Sequence, residues 1–232
     1  MNSPILVALD YPDEQSVLNL ISQLSPDLCG LKVGKELFTR CGPGLVETLQ
    51  LRGFDVFLDL KYHDIPNTVA GAIRAAGELG VWMVNVHASG GRRMMEAAVD
   101  ALQGFQRKPL LIGVTVLTSM SEEDLLELGY SESVEQRVSR LAALAQDSGL
   151  DGVVCSAQEA PSLRGERGEG FTLVTPGIRM LGDSSGDQRR VVTPAQAMSN
   201  GSDYLVIGRS ITAASNPAEA LALVHKELGL EK

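Results

Sequence analysis

Eight short apolar runs, separated by stretches of helical periodicity, restrict this chain to very few folds. The runs are Ile5 to Leu9, Leu31-Lys32-Val33, Val56 to Lys61, Met83 to His87, Leu110 to Leu117, Gly152 to Cys155, Thr172 to Thr175 and Tyr204 to Ile207. Most are apolar at consecutive positions instead of alternating, as strands of a parallel sheet covered on both faces must be. Between them, Asp13 to Leu24 repeats Val17, Leu18, Leu20, Ile21 and Leu24 at a helical period. Pro66 to Leu79 is alanine-rich, starts with a proline where a first helical turn tolerates one, and stops at Gly80. Ser133 to Ser148 and Pro217 to Leu228 carry the same kind of pattern. The 232 residues divided over eight units leave 29 for each. That suits an α/β fold of the (β/α)8 type, a TIM barrel, which commonly spans about 250 residues as one domain. The expectation is a single barrel domain over residues 1–232, with an open doubly wound sheet as the alternative. No G-x-G-x-x-G follows the first run, which disfavours the dinucleotide-binding form of that alternative, and no linker-like tract divides the chain.

Charge narrows the partners. Twenty basic against twenty-nine acidic side chains give a net charge of −9, which argues against a nucleic-acid polymer or an anionic membrane as partner. Aromatic residues, at 4%, are too sparse for base-stacking platforms. An anionic small molecule stays compatible, because a pocket's local charge can oppose the total. Cys29, Cys41 and Cys155 are odd in number and widely spaced, which fits free thiols in a reducing compartment better than a disulfide framework or a zinc knuckle. Residues 1–10 lack the basic and apolar regions of a secretory signal, and no run reaches the roughly 18 apolar residues of a membrane span. A cytoplasmic location is the expectation.

Barrels place their chemistry at the C-terminal ends of the strands. Those ends carry Asp10, Lys32, Asp59 with Lys61 and the following Asp64, His87, Thr118, Arg179 and Arg209. Singly, each has a bland explanation: a turn cap for Asp10, a satisfied core imidazole for His87 (the favoured reading there), a solvated charge for Arg179. A bland explanation at nearly every strand end is harder to sustain. The third run is the sharpest case. Residues two apart on a strand share a face, so Asp59 and Lys61 point one way while Val56, Leu58 and Leu60 point the other. The apolar face belongs against the helices, which turns the charged pair inward. Buried charges cost several kcal/mol unless paired, and Lys32 on the neighbouring strand is the obvious third member. A buried network that merely fixes register is the competing explanation. Nearer the C-terminus, the segment Arg179 to Arg190 holds three arginines and two glycines, and Ile207-Gly208-Arg209-Ser210 ends the last run. Loops after strands seven and eight frequently bind phosphate in barrels. Gly208 lets the backbone approach an anion, and Arg209 offers a bidentate fork.

The block Asp59-Leu60-Lys61-Tyr62-His63-Asp64-Ile65-Pro66-Asn67-Thr68 resembles the signature of the orotidine 5'-monophosphate decarboxylase family, of bacterial type. Ala8-Leu9-Asp10, Leu31 to Gly34, Val116 to Ser119, Thr175 to Arg179 and Ile207 to Arg209 extend the resemblance over essentially the whole chain. The resemblance implies decarboxylation of orotidine 5'-monophosphate to uridine 5'-monophosphate, with neither metal nor organic cofactor. It implies Lys61 as proton donor to C6 of the pyrimidine, in a row with Lys32, Asp59 and an Asp64 contributed by the partner of a homodimer with shared active sites. It assigns Asp10 and Lys32 to the ribose together with the partner's Thr68. Thr118 falls to the pyrimidine, and Arg179, Gln188, Gly208 and Arg209 to the 5'-phosphate. His63 and His87 receive no role. Two other readings remain. Related sugar-phosphate barrels share D-x-K-x-x-D but use magnesium, with an acidic residue where Lys32 stands. A barrel that binds a nucleotide without chemistry is the third.

Overall fold

The computed structural model describes residues 3–180 and 192–230. Its strands are β1 (Ile5–Leu9), β2 (Gly30–Gly34), β3 (Val56–Tyr62), β4 (Met83–His87), β5 (Leu110–Val114), β6 (Gly152–Val154), β7 (Thr172–Ile178) and β8 (Tyr204–Ile207). Each pairs in parallel with the next, and β8 returns to β1 through Ile5↔Leu205 and Val7↔Ile207, so the sheet is a closed eight-stranded barrel. The open-sheet alternative is thereby excluded.

The consecutive apolar positions are explained by two separate cores. Ile5, Val7 and Leu9 of β1, Leu31 and Val33 of β2, and Val56 and Leu58 of β3 pack outward into one large cluster shared with the helices. Their neighbours Leu6, Ala8, Phe57, Met83, Ile112, Val174 and Val206 fill the barrel interior. Trp82 and Tyr204 meet edge to face at 5.0 Å beside this inner cluster. The alternation that sends Leu31 and Val33 outward leaves Lys32 on the inside, and the same rule turns Phe57 and Asp59 in.

The helices are α1 (Glu14–Ile21), α2 (Lys35–Cys41), α3 (Pro43–Leu51), α4 (Pro66–Glu78), α5 (Arg92–Ala101), α6 (Glu122–Glu127), α7 (Val134–Asp147), α8 (Ala160–Arg167), α9 (Pro194–Ser199), α10 (Arg209–Thr212) and α11 (Pro217–Glu227). Sequence punctuation sets their limits. Asp13 caps α1 by accepting from the Ser16 N–H at 2.8 Å, and Ser133 with Gln136 forms a capping box on α7. Gly80, at φ +75°, ends the α4 turn as expected. The β2–β3 connection is a pair of helices, because Gly42 (φ +68°) and Pro43 break what one helix could have spanned. One expectation needs correction. The fifth run is a strand only to Val114: the Thr115 hydroxyl donates to the Val154 carbonyl at 2.9 Å, and residues beyond it leave the ladder to form a rim. The apolar run continues because Val116 is still buried beneath that rim. Among the described residues no helix is long and apolar enough to cross a membrane.

Candidate active site

A cavity of about 560 Å³ opens at the C-terminal end of the strands, above the inner core. Ala8, Phe57 and Val206 contribute from below, while Asp10, Lys32, Asp59, Lys61, Thr118, Arg179, Gly208 and Arg209 also line it. The structure therefore gathers eight sequence-predicted residues, from six strands or the turns that follow them, around one space. Asp64 and Thr68 do not line this cavity; both are exposed, and the Asp64 carboxylate accepts from its own Ile65 N–H. Gln188 lies outside the described residues.

The charged row is a bonded unit. Lys61 Nζ lies 2.6 Å from Asp59 Oδ1, and Lys32 Nζ lies 3.4 Å from both Asp59 Oδ2 and Asp10 Oδ1. Lys32 and Asp59 are each only 9% exposed, so the pairing acts where water screens little. Burial by itself would raise the Asp59 pKa. The Lys32 and Lys61 cations, with hydrogen bonds from Lys61 and Asn85, outweigh it and hold the carboxyl below its usual range. Asp59 is therefore an anion at neutral pH, flanked by two lysines. Room for Lys32 comes from Gly34, where a Cβ would sit 3.4 Å from the lysine nitrogen.

Lys61 reaches this position by an uncommon backbone. Its φ is +52°, and it is the one non-glycine residue with positive φ among the described residues. Simple alternation along β3 gave the correct partner, but the β3–β4 register in fact shifts between Leu58 and Tyr62. A left-handed conformation costs an L-residue roughly 1–2 kcal/mol, so something must hold it. Asn85 of β4, fully buried, supplies that hold: its Oδ1 accepts from the Lys61 backbone N–H at 2.8 Å, and its Nδ2 donates to Asp59 Oδ1 at 2.7 Å. The sequence reading missed Asn85. The available signal was a lone amide in the inward register of a strand that is apolar up to its terminal His87.

The second cationic group follows β7 and β8. Arg179 is buried, donates to the Ile178 carbonyl at 3.1 Å, and its backbone N–H bonds the Val192 carbonyl at 3.1 Å. Val192 N–H returns to the Gly177 carbonyl at 3.4 Å, which ties the chain together on either side of residues 181–191. Gly177 takes φ +80° where the β7–β8 register slips, a turn closed to other residues without strain. Asp10 stands between the two groups, 3.4 Å from Lys32 Nζ and 3.7 Å from where a Gly208 Cβ would lie. Tyr11 anchors the same corner through a 2.9 Å bond from its hydroxyl to the Thr212 carbonyl. At the other edge, the His63 and His87 rings are tilted against each other at 5.7 Å. Burial, reinforced by His63, Lys35 and Lys61 and opposed by Asp59, pushes His87 down to about 4, so its imidazole is neutral at physiological pH.

A polar cavity with cations at two ends and a carboxylate between them fits a small dianionic or trianionic molecule, and known proteins agree in kind. Residues 3–224 match the family model for orotidine 5'-phosphate decarboxylase / HUMPS. The chain is 60% identical over 224 residues to orotidine 5'-phosphate decarboxylase of Hahella chejuensis, covering 97% of this chain and 96% of the relative. It is also 60% identical over 228 residues to the Pseudomonas aeruginosa enzyme of that name, covering 98% of each. Among solved structures, orotidine 5'-phosphate decarboxylase from Lactobacillus acidophilus superposes with a TM-score of 0.85 at 39% identity, covering 97% of this chain and 98% of that one. With the barrel, the charged row and a match of this extent in hand, the chain belongs to the orotidine 5'-phosphate decarboxylase / HUMPS family.

Proposed function

We propose that this protein decarboxylates orotidine 5'-monophosphate to uridine 5'-monophosphate, the decarboxylation step of pyrimidine nucleotide synthesis, and that it does so without a metal or organic cofactor. The observation that carries the proposal is the Lys32–Asp59–Lys61 row, buried at the mouth of a barrel whose relatives bear that activity in their names. In the reaction the C6–carboxylate bond breaks heterolytically, carbon dioxide leaves, and the electron pair stays on C6. With nothing to delocalise that pair, a fixed cation aimed at it is the available stabilisation. Lys61, ion-paired with Asp59, first offsets the developing charge and then delivers a proton from its ammonium group to C6, to be replaced from solvent.

Arg179, Gly208 and Arg209, with Gln188, hold the 5'-phosphate in this reading. Asp10 and Lys32 hold the ribose, and Thr118 contacts the pyrimidine. Phosphate binding, remote from C6, contributes energy that positions the base over Lys61. Asp64 and Thr68 act from the partner of a homodimer, completing its neighbour's site. Their exposure, beside an Ile65 that is 67% exposed, supports a face that meets another subunit. The chain works as one domain over residues 1–232, in the cytoplasm, on a single nucleotide instead of a nucleic-acid polymer.

The test is spectrophotometric. Orotidine 5'-monophosphate absorbance should fall on addition of the protein in the presence of EDTA, and absence of turnover by folded protein refutes the proposal. Lys61→Ala should lose at least about a thousandfold in kcat, while uridine 5'-monophosphate still binds by calorimetry.

A further inference from the structure

We infer that Asn85 is a positioning residue for the decarboxylation, setting both the backbone and the ion-pair partner of Lys61. This rests on the functional reading above and deepens it. The side chain of Asn85 has no exposed surface and does not line the cavity, so it acts only through its neighbours. Its orientation follows from chemistry. A backbone N–H can only donate, so Oδ1 must face Lys61; an ionised carboxylate can only accept, so Nδ2 must face Asp59. The two bonds, 2.8 and 2.7 Å, thus fix two residues of β3 to one residue of β4 at the point where the β3–β4 register slips.

Each bond has a distinct consequence. The first satisfies the amide that the left-handed turn at Lys61 withdraws from the strand ladder, and so holds that turn. The second occupies Asp59 Oδ1 together with Lys61 Nζ, which fixes the carboxylate plane and leaves Oδ2 for Lys32. No other uncharged side chain of this size carries its acceptor and its donor on two separate atoms, as these two bonds require. Leucine would leave the Lys61 N–H without a partner. Aspartate would set a second carboxylate against Asp59. The placement of the proton-donating nitrogen, within tolerances of about an ångström on which rate depends steeply, is thereby set from a strand that never touches substrate.

The experiment compares Asn85→Asp and Asn85→Ser with the native protein, measuring kcat and KM for orotidine 5'-monophosphate from about pH 5 to pH 8. The introduced carboxyl would meet Asp59 and the Lys61 backbone N–H of β3 directly, with Lys61 Nζ and Lys32 of β2 on the two oxygens of Asp59 and His87 two residues along its own strand. Carboxyls that share a proton retain it above their usual range, and a protonated carboxyl restores the donor that asparagine provided. For Asn85→Asp, the kcat ratio to native should be down at least about tenfold at pH 8 and should recover several-fold on acidification, with KM within about threefold throughout. For Asn85→Ser, neutral and with one short hydroxyl oxygen in place of the two amide atoms that reach Lys61 and Asp59, the ratio should be about tenfold down and flat with pH. A native-like kcat in both variants overturns the inference. So does an Asn85→Asp ratio as flat as the serine one, a parallel rise in KM, or loss of folded protein on the serine change. A native protein that turns over no substrate defeats the functional reading itself, whereas a working native protein with indifferent variants defeats only the role of Asn85.

Discussion

His87 shows how the charged row reaches beyond the groups proposed to meet substrate. Its ring is half-buried beside His63, near Lys35 and Lys61, and the protonated form is disfavoured until about pH 4. A histidine that is freely solvated in the unfolded chain accepts a proton near 6.5, so between about 6.5 and 4 the unfolded state binds more protons. Folded stability contributed by neutral His87 is therefore complete above about 6.5 and is lost as pH falls towards 4. The ring is partly solvated, so we expect about 1–2 kcal/mol, well below what the full shift would give. His87→Gln should flatten the dependence of unfolding free energy on pH in that window, measured by urea titration at several pH values. An unchanged slope would place the titrating group elsewhere. Asp59 behaves in the opposite range. Its carboxyl is held below the usual value, so its contribution persists through neutral and weakly acid conditions and is lost only as pH drops below the ordinary carboxylate range.

At the scale of elements, β6 is a tight point of the barrel wall. It has only three residues, and Gly152 is registered between Ile112 of β5 and Thr172 of β7. A Cβ on Gly152 would run into the Thr172 carbonyl oxygen, which is backbone and cannot rotate away. Gly152→Ala should therefore destabilise through overpacking by about 1–3 kcal/mol, lowering Tm by roughly 2–12 °C in a chain of this size. Calorimetry tests this, and an unchanged Tm would mean that the strand can shift sideways. The elements also explain which boundaries were readable. Caps and breakers are local, so Asp13, Ser133, Pro66 and Gly80 marked helix ends correctly within a few residues. The end of β5 was not readable, because Val116 just beyond it is buried and apolar, as a strand residue would be.

For the whole molecule, the proposed sharing of sites between two subunits has a test that needs no structure of the dimer. Lys61→Ala and Asp64→Asn should each be nearly inactive. Mixed under conditions that exchange subunits, they should recover activity, because a hybrid holds one site with both defects and one with neither. Half the dimers in a random one-to-one mixture are hybrids with one native site each, so about a quarter of the native rate is expected. No recovery, with exchange confirmed by sedimentation of labelled subunits, would assign Asp64 to the site of its own chain, and full activity of Asp64→Asn alone would leave it no role. The sequence by itself determined the barrel, since eight doubly apolar runs with helical spacers have few other ways to bury both faces. It also singled out Lys32, Asp59 and Lys61, because charge inside such a run has to be compensated. Only the tertiary structure decided how Lys61 is held. The left-handed turn, the slipped register and the Asn85 bridge join residues 24 and 26 positions apart, and such partners meet only when β3 and β4 lie side by side. Local sequence carries propensity and periodicity; the identity of a cross-strand partner depends on closure of the whole sheet.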